Sequence, residues 1–363
     1  MKLTIQLQLL PSPEQAALLL ATMQRFNEAA SFAAQRAFDA GVFSPPSVHR
    51  LAYHAIRERF GLSAQLAVRA IGKAVECFQR DKTVCPVLRP DGAITYDQRN
   101  LSFKGLSRVS LATLIGREVI ALVYGAYQAE RFDRIKGQCD LVRRDGKFYL
   151  LATVDLPEPP PVEIHDFLGV DLGIVNLATD STGEAFSGAK VDRNRKRRAT
   201  ARKQYQRKGT KNAKRRLKRM SGRQARFQRH TNHEISKRLV QKAKAQSAGI
   251  VLEDLKHIRS RIEGTVSRRF RCRFGNWSFH HLRQCIEYKA RLAGVPVVTA
   301  DPRNTSRTCS QCGHCEKANR KTQAEFRCLH CGFSCNADLN AARNLASLGR
   351  CKPAPKAATV LPS

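Results

Sequence analysis

The chain has 363 residues, with 64 Lys and Arg against 30 Asp and Glu, a formal net charge of +34 and a pI near 10.4. A hydrophobic fraction of 42% excludes a wholly disordered chain, and the length allows two or three domains. An excess this large argues against an ordinary metabolic enzyme and implies a polyanionic partner, most commonly nucleic acid. Residues 1–9 alternate apolar and polar side chains, which predicts a half-buried strand rather than the apolar core of a signal peptide. No stretch approaches the roughly 20 apolar residues that span a bilayer, so a soluble, cytoplasmic chain with no membrane partner is expected. Ser12 reads as an N-cap with Pro13 at the first helical position, and Leu18, Met23 and Phe26 supply apolar points. Helical patterning continues to about residue 80, and near Cys85-Pro86 shorter strand-like pieces take over. Residues 141–152 predict a hairpin with Asp145-Gly146 at its turn, and strand 1 is expected to pair with these later strands around the helical block.

Pro157-Glu158-Pro159-Pro160-Pro161 predicts a stiff linker and a domain boundary. Residues 167–178 read as a buried strand leading into a second, with a turn at Asp180-Ser181-Thr182-Gly183. Residues 190–230 hold nineteen Lys or Arg and one acid, Asp192, and are expected to form a long, basic, mostly exposed helix, taken as 190–246. Further strands are predicted at 250–255 and 295–298, with a helix from Trp277 to Leu292 between them. Strands alternating with helices place this half in the α/β class.

The charge is uneven. Residues 1–163 have a net charge of +5 and residues 164–363 of +29. Arg outnumbers Lys 42 to 22, which suits bidentate phosphate contacts. Nineteen like charges with one acid would repel one another without a polyanion. The expected nucleic-acid contacts are Arg195, Lys196, Arg197, Arg198, Arg202, Lys203, Lys214, Arg215, Arg216, Arg219 and Arg223. A ribosome-associated protein or a generally basic surface is the plainer alternative.

Of twelve cysteines, six crowd between Cys309 and Cys335, while Cys77, Cys85, Cys139, Cys272, Cys285 and Cys351 are scattered and expected to be buried thiols. Cys309-x-x-Cys312 and Cys328-x-x-Cys331 each offer two thiolates from one tight turn, and together they predict a closed, structural Zn²⁺ site. Gly313 and Gly332 follow each pair, where such a knuckle needs a permissive backbone. Cys315, Cys335, His314 and His330 are possible substitutes. Three acids stand against the basic background: Asp171 in an apolar strand, Glu253 at the end of another, and Asp338 after the cysteine pairs. Singly each has a plain reading as a turn, strand-end or helix-start residue.

In this order, Gly169-Val170-Asp171-Leu172-Gly173, Ile250-Val251-Leu252-Glu253-Asp254-Leu255 and Asp338-Leu339-Asn340-Ala341-Ala342-Arg343-Asn344 resemble the three RuvC motifs of transposon-encoded TnpB proteins. These are RNA-guided DNA endonucleases related to type V CRISPR effectors. Asn304-Thr305-Ser306, the run from Trp277-Ser278-Phe279 to Tyr288-Lys289-Ala290, and the opening Pro11, Glu14-Gln15 and Phe26-Asn27 are similar too. Gln6 and Gln8 depart from the pattern, standing where members often have basic residues, and Cys315 and Cys335 are extra. The resemblance implies an α+β multidomain chain. A β-barrel-like wedge domain (1–10 and 86–163) would enclose a helical recognition insertion (11–85). An α/β RNase H-like RuvC domain (164–308) would follow, then an inserted zinc ribbon (309–335), the third motif (336–350) and a flexible tail (351–363).

It also implies the site. Asp171, Glu253 and Asp338 become a catalytic triad, with Asp171 the bridging ligand and Asp254 the runner-up for Glu253. Carboxylates about 6 Å apart repel by roughly 3 kcal/mol per pair at an effective dielectric near 20. Two Mg²⁺ or Mn²⁺ ions would relieve that repulsion, activating water and stabilising the leaving 3′-oxygen of a phosphodiester. The implied partners are a guide RNA derived from a transposon end and double-stranded target DNA, in a prokaryotic cytoplasm or at its nucleoid, with a monomer the simplest state. The resemblance thus expects RNA-guided cleavage beside a short flanking motif. A cleavage-inactive guided repressor and a guide-independent zinc-ribbon accessory of transposition are the alternatives.

Overall fold

The computed structural model describes residues 1–254, 279–322 and 324–351. Leu255, Cys272, Trp277, Ser278 and the expected tail beyond Cys351 lie outside the described residues. The chain forms two compact units, Met1–Pro157 and Glu158–Ser363.

In the first unit, β1 (Lys2–Leu10) is followed by α1 (Pro13–Asp39), α2 (Pro45–Phe60) and α3 (Ala64–Phe78), then β2 (Ile94–Tyr96), β3 (Leu101–Lys104), β4 (Arg108–Thr113), β5 (Gly116–Val123), a single turn α4 (Ala126–Ala129), β6 (Ile135–Arg144) and β7 (Lys147–Asp155). Ser12 caps α1 through a reciprocal pair with Gln15, as its position before Pro13 predicts. The buried stripe of α1 runs through Leu19, Met23, Phe26, Ala30, Ala33 and Ala37, one residue away from the expected Leu18. The expected pairing of β1 with later strands is found: β1 lies between β7 and β5 in a seven-stranded antiparallel sheet ordered β2-β6-β7-β1-β5-β4-β3. Ile5, Leu7 and Leu9 face its core alongside Leu150, Ala152 and Val154. Its edge strands β2 and β3 adjoin in sequence, so the sheet must curl until its edges nearly meet. The Tyr96 hydroxyl of β2 accordingly donates to the Ala112 carbonyl of β4 at 2.8 Å. The β6–β7 hairpin turns at Asp145 and Gly146, both with positive φ (50° and 81°).

The second unit contains β8 (Asp166–Asp171), β9 (Asn176–Asp180), β10 (Ala185–Ser187), α5 (Ala189–Lys208), α6 (Lys211–Ala245), β11 (Ala248–Glu253), α7 (Phe279–Ala293), β12 (Val297–Ala300), β13 (Glu325–Arg327), β14 (Ser334–Asn336) and α8 (Ala337–Arg350). The main sheet is ordered β10-β9-β8-β11-β12, with β8, β11 and β12 parallel. Strand alternation gives the sheet two faces. Leu168, Val170, Ile250 and Leu252 pack against Leu239 and Val240 of α6 and Leu282 and Ile286 of α7. On the opposite face Phe167 and Val251 meet Leu345 of α8. Gly169 is there because α8 sits directly on β8: a Cβ at this position would lie 2.0 Å from the Ala342 carbonyl oxygen.

Two expectations need correction. The basic run is two helices, not one, because Gly209 ends α5 in the left-handed conformation (φ 63°) and Thr210 then caps α6. The division between the two units falls in the proline-rich segment, as expected; beyond it Val162 N donates to the Gly294 carbonyl at 2.8 Å, and Glu158 pairs with Arg291 at 2.6 Å. Among the scattered thiols Cys139 and Cys285 are buried, but Cys77 and Cys85 are half-buried and Cys351 is exposed.

Candidate metal centres and nucleic-acid interface

Asp171 and Glu253 end β8 and β11, one residue beyond the paired Val170 and Leu252. The two-residue period that sends Val170 and Leu252 into the helical core turns both carboxylates to the α8 face. The first turn of α8 brings Asp338 to the same place. Asp338 stands at a helix N-terminus, where the backbone dipole favours an anion. The Asn336 side chain caps that turn by accepting from Asp338 N and Leu339 N, and Asn176 Nδ2 donates to Asp338 Oδ2 at 2.9 Å. All three acids line one cavity of about 240 Å³, with Phe279, Thr305, Ser306 and Arg320 among its other walls. Asp254, one residue on, falls outside that lining and pairs with Arg283 at 3.5 Å.

Burial pushes the Asp171 carboxyl up to about 6, and the neighbouring Asp338 charge adds to the rise. Glu253 is raised well above the usual carboxylate range, first by burial and then by repulsion from Asp171. The two share a hydrogen bond that favours ionised Asp171 and protonated Glu253, so Glu253 is the donor. The Arg320 guanidinium pulls both carboxyls back down. Arg320 was not singled out from the sequence: it lies between the two cysteine pairs, one of 42 arginines, with no spacing that marks it.

The two cysteine pairs form matching knuckles. In each, the glycine N–H donates to the first cysteine's carbonyl (Gly313 to Cys309 at 2.9 Å, Gly332 to Cys328 at 3.1 Å), and the glycine takes positive φ (78° and 76°). The Cys309–Cys331 and Cys312–Cys328 sulfur separations are 3.7 and 3.6 Å, and all four sulfurs lie within 4.8 Å of one another. A tetrahedral zinc with Zn–S bonds of about 2.3 Å sets its sulfurs about 3.8 Å apart, so the four thiols fit the ion. A disulfide would need about 2.05 Å. The Cys331 amide donates to Cys328 Sγ and holds that thiol down to about 6. Cys315 and Cys335 are outside this group, and His314 stacks on His330 with ring centroids 5.5 Å apart. The buried Asn319 ties the knuckles together, donating to Arg307 and His314 carbonyls and accepting from Leu329 N. Asn340 and Asn344 of α8 both donate to the Thr308 carbonyl, fastening the first knuckle to the helix that bears Asp338.

The α5–α6 hairpin has a cleft lined by Arg195, Arg198, Arg202, Lys203, Leu217 and Met220. Arg195 and Lys196 pair with Asp192, and Arg216 donates to the Tyr205 hydroxyl at 3.2 Å. Arg195 and Arg198 are half-buried, while Arg197, Lys214, Arg215, Arg219 and Arg223 are exposed.

Residues 150–257 match the family described as "Probable transposase", and residues 279–345 match "Cas12f1-like, TNB domain". The chain is 32% identical over 221 residues to CRISPR-associated endodeoxyribonuclease Cas12f1 of Sulfoacidibacillus thermotolerans, covering 56% of this chain and 50% of that one. It is 31% identical over 222 residues to the putative RNA-guided DNA endonuclease InsQ of Escherichia coli (strain K12), covering 56% and 54%. A TnpB-like protein of Methanocaldococcus jannaschii is 35% identical over 129 residues, 36% of this chain and 45% of that one. The chain therefore spans about half the length of the curated relatives it matches. Its class is that of chains joining a transposase-type segment to a Cas12f1-like TNB segment. Within that class it is similar to proteins named TnpB-like and RNA-guided DNA endonuclease, in line with the resemblance that the three acidic motifs carry.

Proposed function

We propose that this chain is an RNA-guided, divalent-metal-dependent endonuclease that hydrolyses target DNA beside a short flanking motif, with its second unit as an RNase H-like, RuvC-type domain. The observation that carries the reading is the convergence of Asp171, Glu253 and Asp338, from three distant segments, on one cavity at the C-terminal ends of adjacent parallel strands. In open α/β sheets such strand ends are where ligands bind. The donor set fits Mg²⁺ or Mn²⁺, since hard oxygens converge there and burial with repulsion from Asp171 raises Glu253 well above the usual carboxylate range. Bound there, a pair of such ions would supply Lewis-acid activation of water and charge stabilisation at the leaving 3′-oxygen.

The protein residues take separate roles. Asp171, Glu253 and Asp338 would together hold the ions. Glu253 would ligate as the carboxylate, with its proton released to solvent. Asn176 and Asn336 fix Asp338 in orientation. Arg320 stands on the wall to meet a phosphate oxygen, and a structural zinc at Cys309, Cys312, Cys328 and Cys331 holds the ribbon that presents it. The α5–α6 hairpin follows phosphates of RNA or heteroduplex. The barrel and its helical insertion read the guide RNA and the flanking motif. The relatives' names, endodeoxyribonuclease and RNA-guided DNA endonuclease, support this assignment.

The test is to sequence RNA that copurifies with the chain and then expose a plasmid library with randomised flanks to the purified complex and Mg²⁺. Cleavage directed by that RNA beside one short motif is expected. Discrete RNA with no metal-dependent cutting would replace the reading with a guided binder, and no discrete RNA would replace it with a guide-independent one.

A further inference from the structure

The seam between α6 and α7 holds a second group of soft and borderline ligands, far in sequence from the cysteine knuckles. His281 and Cys285 are four residues apart on α7, so they share one helix face, and that face meets His233 of α6. Cys285 Sγ is 3.9 Å from His233 Nδ1 and 3.8 Å from His281 Nε2, and one ligand atom from each residue falls within 4.8 Å of the others. Zn–N bonds near 2.05 Å and a Zn–S bond near 2.3 Å set tetrahedral N···S separations at about 3.6 Å. The two N···S separations therefore need to close by only a few tenths of an ångström.

We propose that His233, His281 and Cys285 form a second metal site for a borderline divalent transition ion, with zinc its representative, stapling α6 to α7. Imidazole and thiolate together select such an ion over Mg²⁺. On binding, the Cys285 S–H bond breaks, the proton leaves to solvent and the sulfur lone pair forms the metal–sulfur bond, with no change in oxidation state. The Asn232 amide is 2.9 Å from His281 Nδ1; turned with its oxygen inward it accepts that ring's N–H and leaves Nε2 for the metal. The Tyr288 hydroxyl, 3.2 Å from His233 Nδ1, must turn away from that nitrogen when it ligates.

One nearby charge opposes the ion. Lys289 is held by the His233 carbonyl and by Ser236 Oγ at 2.7 Å, so its ammonium group stays close to the site. The site is accordingly weaker than the four-cysteine one. Its place in the fold gives it a purpose: α6 and α7 together support the sheet face opposite the one bearing Asp171 and Glu253.

The experiment measures bound metal in the full chain. Purified with zinc and free of chelator, wild type should hold two equivalents, falling to one in Cys285→Ser and in His281→Ala, while Cys309→Ser should lose the other. Should a variant fold poorly, the native chain decides. Wild type given a single equivalent of zinc, which fills the tighter four-cysteine site, should on addition of Co²⁺ show sulfur-to-cobalt charge-transfer absorption of about one thiolate's intensity. A single zinc equivalent in wild type purified with excess zinc, or no such absorption, would overturn the assignment.

Discussion

Gly169→Ala is the sharpest structural perturbation the fold offers. A Cβ at this position would stand 2.0 Å from the Ala342 carbonyl oxygen and 2.5 Å from Ala346 N, both backbone atoms of α8. Close C···O contacts settle at about 3.3 Å, so a gap of about 1.3 Å must open. Strand β8 cannot supply it, because it is hydrogen-bonded to β9 on one side and β11 on the other. Helix α8 must therefore retreat, loosening the buried Ala341, Ala342, Leu345 and Ala346. Overpacking of this kind costs typically 1–3 kcal/mol, and backbone on both sides puts this case near about 3 kcal/mol. Because Asp338 is in the first turn of α8, the retreat also pulls one carboxylate from the cavity, and a displacement of about 1 Å in such a site costs on the order of 100-fold in rate. Urea unfolding and Mn²⁺ binding by calorimetry test the two halves of this argument. Gly222→Ala is the control: on α6 its Cβ would meet only the flexible Arg226 Nη1 at 3.4 Å, and it should be neutral or stabilise by up to about 1 kcal/mol. If Gly169→Ala unfolds within 0.5 kcal/mol of wild type and binds Mn²⁺ normally, the close docking of α8 on β8 does not position the site.

The other predictions concern charge and metal. The Asp180 side chain is fully buried; burial raises its carboxyl, but hydrogen bonds from Lys242, Thr182 and Glu184 N outweigh that and hold it below the usual range. It therefore contributes stability above the unfolded pKa of about 3.9 that is lost as pH falls through its lower folded value. Lys242→Met should cost about 3 kcal/mol at pH 7 and move the onset of acid unfolding to higher pH, read by denaturant melts at several pH values. Cys328→Ser should abolish zinc at the knuckles, whereas Cys315→Ser and Cys335→Ser should leave the zinc content unchanged. Arg320→Leu removes the charge that draws Asp171 and Glu253 down, so both carboxyls should rise further, and the pH at which Mn²⁺ binds should shift upward. An unshifted binding profile would separate Arg320 from the acidic centre.

The knuckles were legible in the sequence because two-residue spacing between cysteines is itself a geometric statement, and Gly313 and Gly332 mark the turns that make it possible. The β6–β7 hairpin was legible for the same reason, through the conformational needs of Asp145-Gly146. The acids were legible only as a set: Asp171 and Glu253 stand out against apolar strands, but nothing local says that parallel pairing of β8 and β11 puts them side by side. Gly169 gave no sign of its role, since close helix–strand approach is a property of the partner helix. The break at Gly209 was hidden by the unbroken charge on either side. Arg320 reaches the acids, and His233 reaches the helix face that His281 and Cys285 share, only through tertiary packing, which no sequence spacing announces.

The central claim is that Asp171, Glu253 and Asp338 act as one metal centre on DNA. The direct measurement compares wild type and Asp171→Ala, each purified with its copurifying RNA, for Mg²⁺-dependent cleavage of a plasmid bearing the matched target and flanking motif. The account predicts that cleavage disappears in the variant while the bound RNA and the affinity for target DNA stay near wild type. Cleavage retained at a comparable rate would contradict it.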